Sequence, residues 1–262
     1  MSGKQHAKLP IVLTIAGYDP SSGAGITADI KTIAAHGCYG VSCITAMTVQ
    51  STRGVRRVEP VPGKIIAETL EELAHDVKIA AVKIGMLGSA EAARAVAQFL
   101  RRYKPRLVVL DPIVKASSGA ELISPQGLKI LKQDLLAAAT VITPNIDEAA
   151  ALTGAQISRA EDMALAADRL HELGARAVVI TGGHFASPVD LVSERKGRSI
   201  LLRGTKVRTR STHGTGCAFS AALACNLARG KTVESAAKAA KRFVESALRK
   251  APAVGSGKGP VI

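Results

Sequence analysis

The feature that most limits what this chain can fold into is a regular alternation. Short apolar runs rich in β-formers, each closed by polar or glycine punctuation, are followed by stretches with helical spacing. Residues 11–16, 41–49, 80–84, 107–110, 140–142 and 177–180 read as strands, the second ending in a polar loop at residues 50–54. Helical patterns cover residues 23–35, 65–77, 89–103, a segment opened by Ser124-Pro125, 147–152, 159–173 and 233–249. Residues 189–207 change to strand–turn–strand about Lys196-Gly197. No linker, repeat or low-complexity break interrupts the series, which predicts one domain over residues 1–262 with loose ends at 1–9 and 253–262. Its sheet is mainly parallel, with helices on both faces. Ligands of such sheets bind at the carboxyl ends of the strands. Asp19, Gln50, Asp111, Asn145 and Thr181 all fall at such ends.

Composition removes several function classes. With 47% hydrophobic residues, 3% aromatics and no Trp, the core is built from Ala, Val, Ile and Leu. The formal net charge of +14 is spread out; Arg56-Arg57 and Arg101-Arg102 are only pairs, with no interleaved aromatics on which bases could stack. A basic, solvated surface that steers phosphorylated ligands fits better than a nucleic-acid partner. Cys38, Cys43, Cys217 and Cys225 form no C-x-x-C pair and no zinc-finger spacing, which fits reduced thiols in the cytoplasm. The run at residues 11–16, after Lys4 and Lys8, lacks a signal-peptide cleavage pattern, and no segment has the length of a membrane span.

The richest motif is Ser211 to Leu223, where Gly214-Thr215-Gly216-Cys217 runs into an Ala-rich helix. First-turn N–H groups lack intrahelical partners and the helix dipole is positive there, so the loop reads as an anion hole. Cys217 in that first turn is expected to have a lowered thiol pKa. A capped core helix with a merely buried cysteine is the competing reading. Gly23-Ala24-Gly25-Ile26-Thr27-Ala28 fits G-x-G-x-x-G/A, but no carboxylate follows at the distance that would hold a ribose, which argues against a dinucleotide. The tail around Gly257-Lys258 fails the Walker pattern. Asp111 is a turn carboxylate or a metal-linked acid. Asn145 and Glu148, three apart, are a capping box or a shared face for Mg²⁺, and taken alone the capping box is the simpler reading. Thr181-Gly182-Gly183-His184 is a plain loop or a rest for a ribose-phosphate. The amide of Gln50 could pair with a ring offering an amino group and a ring nitrogen, or face solvent.

Taken together, residues 13–31, 82–87, 109–112, 143–149, 179–183 and 211–217 resemble the hydroxymethylpyrimidine/phosphomethylpyrimidine kinases, a branch of the ribokinase-like superfamily. The resemblance implies a three-layer α/β/α sandwich that uses ATP and Mg²⁺. The substrate would be 4-amino-5-hydroxymethyl-2-methylpyrimidine and then its monophosphate. It implies that Gln50, with Gly17, Asp19 and Met86, lines the pyrimidine site, and that Thr181, Gly182, Asn145 and His213 lie on the nucleotide side. Asp111 and Glu148 would organise the metal. Gly214, Thr215, Gly216 and Cys217 would hold the transferring group, Cys217 serving as the catalytic cysteine. Sandwich kinases of this type often pair, which makes a homodimer the expected assembly. Two departures bear on substrate choice. Tyr18 and Pro20-Ser21-Ser22 replace a serine and glycines, and Ala116-Ser117-Ser118-Gly119 lacks the common lysine, with Lys115 nearby. Pyridoxal kinase of the same branch is the alternative within the class. A non-catalytic nucleic-acid or regulatory binder is the alternative outside it.

Overall fold

The structure, a computed structural model, describes residues 9–115, 119, 121–183 and 185–262. Nine strands form one sheet: β1 (Ile11–Tyr18), β2 (Tyr39–Ser51), β3 (Gly54–Pro60), β4 (Ile79–Ile84), β5 (Val108–Leu110), β6 (Val141–Ile142), β7 (Ala177–Gly182), β8 (Val189–Glu194) and β9 (Ser199–Arg203). Their order is β3-β2-β1-β4-β5-β6-β7-β8-β9. The six strands from β2 through β7 pair in parallel, while β3, β8 and β9 are antiparallel additions at the two edges. The hairpin partner β3 lies where the sequence suggests only a loop. Its burial pattern is mostly exposed, so no apolar run announces it.

The helices are α1 (Gly25–Ala35), α2 (Gly63–Asp76), α3 (Ala90–Tyr103), α4 (Pro125–Ile130), α5 (Ile146–Thr153), α6 (Asp162–Glu172), α7 (Thr215–Ala228) and α8 (Val233–Lys250). A π-type turn at Leu131–Leu135 continues α4. Local chemistry sets several ends. Ser89 and Ser124 accept hydrogen bonds from Ala92 N and Gly127 N, each cap stabilising its helix by about 1 kcal/mol. Gly154 closes α5 in a left-handed conformation.

Alternate residues of the central strands feed two cores. Leu13, Ile15, Val82, Ile84 and Leu110 pack on the side of α2, α3 and α6, whereas Val12, Val109, Val141 and Val179 pack beneath α7 and α8. These layers make the expected α/β/α sandwich. α7 is buried continuously from Cys217 to Leu227, because α1, α8 and the sheet surround it. The chain leaves β1 to one side for β2 and returns on the other side as β4, so the strand order reverses at β1. That reversal opens a crevice beyond the strand ends, and the glycine loops before α1 and α7 meet there.

The C-terminal tail corrects the expectation of a loose end at 253–262. Gly257 N and Lys258 N donate to Thr52 (3.2 and 2.8 Å), His213 N donates to the Gly259 carbonyl, and Val261 N donates to the His213 carbonyl, both at 3.0 Å. Val261 is buried. Backbone bonding of this kind carries no composition signal, which is why a glycine-rich tail reads as loose. The N-terminal expectation at residues 1–8 and most of the Ala116–Gly119 departure lie outside the described residues.

Candidate active site

Gly214 opens α7 with φ of 82°, a left-handed conformation, and a Cβ there would run into the Gly23 carbonyl. Thr215, Gly216 and Cys217 are the first three residues of the helix, and Ala218 N makes the first bond back to the Gly214 carbonyl, at 2.9 Å. The N–H groups before Ala218 therefore have no partner within the helix. The Gly25 N–H of α1 points at the Cys217 sulfur, so the starts of two helices converge on that side chain. The expected lowered thiol pKa is overturned. Burial pushes the Cys217 thiol up to about 12, outweighing the nearby Lys83 charge that pulls it down. Cys217 is a thiol at neutral pH.

Asp111, just past β5, accepts a 2.9 Å bond from Ser220 Oγ, one turn into α7. Burial raises its carboxyl to about 6, against the charge of Lys83. Glu148 is raised to about 8, first by burial and then by the charge of Asp111. It also completes the capping box, accepting from Asn145 N at 2.8 Å while Asn145 Oδ1 accepts from Glu148 N at 2.9 Å. The capping and acidic readings thus coexist on one side chain. Two buried carboxylates that repel each other fit a cation. No cluster of three or more His, Cys, Asp or Glu side chains that could hold a metal converges among the described residues.

At the β1 and β2 ends a polar chain forms. Asp19 accepts from Ser21 N, Ser21 Oγ and Ala24 N at 2.7–2.9 Å, and lies 2.7 Å from His213 Nε2. Burial pulls its carboxyl up, but the bonds from His213 and Ser21 prevail and hold it below the ordinary value. Gln50 Nε2 lies 3.0 Å from the same His213 Nε2, and Gln50 Oε1 lies 3.2 Å from Thr48 Oγ1. With Asp19 ionised, His213 Nε2 is a donor. The Gln50 amide is then best satisfied with its oxygen turned to the imidazole and its nitrogen to Thr48, whose hydrogen goes to the Tyr18 carbonyl at 2.9 Å.

His213, grouped by sequence with the nucleotide side, is thus joined to Gln50 and Asp19 instead, because the tail bonds both faces of its backbone. Gly17 and Met86 lie together: a Cβ on Gly17 would lie 2.9 Å from the Met86 sulfur. Thr181 bridges to Asn145, and Gly182 N bonds Asp190 at 3.0 Å. Sequence reasoning missed Ser220, Thr14, Asp29 and Lys83. A lysine inside the apolar run 80–84 was the signal for the last of these.

A parallel-centred sandwich whose crevice joins an anion-binding helix start, paired acids and an amide reader defines a small-molecule kinase with the ribokinase-like fold. The Phosphomethylpyrimidine kinase family profile matches residues 19–262. The hydroxymethylpyrimidine/phosphomethylpyrimidine kinase of Haemophilus influenzae is 45% identical over 254 residues, covering 95% of this chain and 94% of that protein. A bifunctional thiamine biosynthesis protein of Geobacter sulfurreducens is 44% identical over 95% of this chain, which spans about half (51%) of its length. The ADP complex of Bacillus subtilis pyridoxal kinase superposes with a TM-score of 0.89 at 33% identity, covering 96% of each chain. The chain belongs to the phosphomethylpyrimidine kinase family and carries out ATP-dependent phosphorylation of hydroxymethylpyrimidine and phosphomethylpyrimidine in thiamine biosynthesis.

Proposed function

We propose that both phosphorylations occur at one site, on the hydroxymethyl oxygen first and on the resulting monophosphate second. The observation that carries this reading is the left-handed Gly214 start of α7, set beside the Gln50–His213–Asp19 chain. Phosphoryl transfer depends mainly on positioning and charge stabilisation. The N–H groups of residues 214–217 hold the transferring oxygens. Gln50 reads the amino group and ring nitrogen of the pyrimidine, with Gly17 and Met86 against the ring. Thr181, Gly182 and Asn145 receive the nucleotide. Asp111 and Glu148 would hold Mg²⁺, which when bound neutralises polyphosphate charge. Cys217, a thiol with a raised pKa, orients the acceptor hydroxyl rather than waiting as a thiolate base. A loose transition state asks little of a base before bond breaking. The free cysteines suit a reducing cytoplasm.

A second reading, pyridoxal as acceptor, is favoured by the likeness to the Bacillus subtilis enzyme. An ADP-release assay with the aminopyrimidine, its monophosphate and pyridoxal side by side separates the two. We expect higher kcat/KM on both pyrimidines. Cys217→Ala should lower kcat roughly 10²-fold while the aminopyrimidine Kd moves less than about threefold. Wild-type turnover in that variant removes the assigned role, and faster pyridoxal turnover overturns the substrate assignment.

A further inference from the structure

Lys83 is the penultimate residue of β4, and both it and its partner Asp29 of α1 are completely buried. Lys83 Nζ donates to Asp29 Oδ2 at 2.9 Å, and Thr14 Oγ1 donates to the same oxygen at 2.6 Å. Thr14 and Lys83 are register partners on β1 and β4, on the sheet face opposite Leu13 and Val82 and under the α1 and α7 layer. Gly85 leaves room for the ammonium, since a Cβ there would stand 2.7 Å from Nζ.

This pair is poorly built for stability alone. Both donors go to one carboxylate oxygen, while Asp29 Oδ1 is buried without a hydrogen-bond partner among the described residues. Burying two charges costs more than such a pair returns unless the remaining lone pairs are satisfied, and apolar side chains of similar volume commonly serve as well. The pair also lies next to the site: the carbonyl of Ile84, the residue after Lys83, accepts from Asp111 N at 2.8 Å, and Asp111 Oδ2 in turn accepts from Ser220 Oγ of α7 at 2.9 Å. Burial acts to discharge Lys83, but Asp29 holds it firmly as a cation.

We propose that Lys83 is a positioning residue for phosphoryl transfer: a fixed positive charge beneath the start of α7 that strengthens the anion hole from the side substrate cannot reach. Asp29 keeps that charge in place. The anion hole then combines backbone N–H groups above with a buried cation below, in a low-dielectric setting where charge acts strongly. This inference rests on the kinase reading given above.

The test replaces the pair as a unit. Lys83→Met/Asp29→Leu removes both charges and keeps the volume. Its melting temperature is expected within a few degrees of wild type, with kcat lowered at least 30-fold and the aminopyrimidine KM changed less than about threefold. Calorimetric affinity for ADP with aluminium fluoride, a planar anionic mimic of the moving group, should fall at least tenfold more than affinity for ADP alone. Thr14→Val leaves the charges in place and should keep kcat within about threefold. Wild-type kcat and mimic affinity in the double variant overturn the proposal. Should the double variant fail to fold, Lys83→Met/Asp29→Asn, which keeps a hydrogen-bonding partner for Thr14, takes its place with the same expected losses, and wild-type kcat and mimic affinity in it overturn the proposal, as does a loss of kcat beyond 30-fold in Thr14→Val. If wild-type enzyme turns over no aminopyrimidine, the substrate reading fails, and the mimic measurement still reports on Lys83.

Discussion

At Cys217 two consequences of the fold oppose each other. The start of a helix favours a thiolate, while close packing under α1 disfavours any charge, and packing prevails. The thiol therefore has no reactive form of consequence near neutral pH. Alkylation of the Cys217 peptide by iodoacetamide, followed by mass spectrometry, should speed up about tenfold per pH unit from pH 7 to 10. A plateau near neutral pH would show that the dipole wins after all. The same contest runs at Asp111 and Glu148, where burial raises both carboxyls, but at Asp19 the bonds from His213 and Ser21 reverse the outcome. Identical side chains thus take opposite shifts according to how many N–H and O–H groups reach them.

At the scale of elements, the tail acts as a strap. It bonds Thr52 just beyond the Gln50-bearing strand and both backbone faces of His213, tying the end of β2 to the loop before α7. A side chain at Gly257 would collide with the Thr52 carbonyl. Gly257→Val should therefore raise the aminopyrimidine KM about tenfold while kcat moves less than about threefold, read from steady-state kinetics. An unchanged KM would mean that Gln50 and His213 hold their places without the strap. The β2–β3 hairpin carries a register shift at Val49/Gln50, an irregularity that increases the local twist of the strand bearing Gln50.

Across the whole molecule, a net charge of +14 surrounds a crevice built for phosphates. Diffuse charge of one sign raises the encounter rate with polyanions and is screened by salt. Raising ionic strength from about 0.05 to about 0.5 M should lower kcat/KM for ATP several-fold and leave kcat nearly unchanged. A flat response would show that the surface charge serves solubility only. No helix among the described residues is long and apolar enough to cross a membrane.

The sequence by itself determined the alternation of strands and helices, the parallel-centred sheet, and the strand-end positions of Asp19, Gln50, Asp111, Asn145 and Thr181. Hydrophobic periodicity and local caps are written in neighbouring residues, so they are legible without coordinates. Only the tertiary structure decided that Ser220 reaches Asp111, that His213 joins Gln50, that residues 255–262 are bound down, and that Lys83 finds Asp29. Those outcomes rest on contacts between residues far apart in the chain and on desolvation, and neither leaves a periodic mark in sequence.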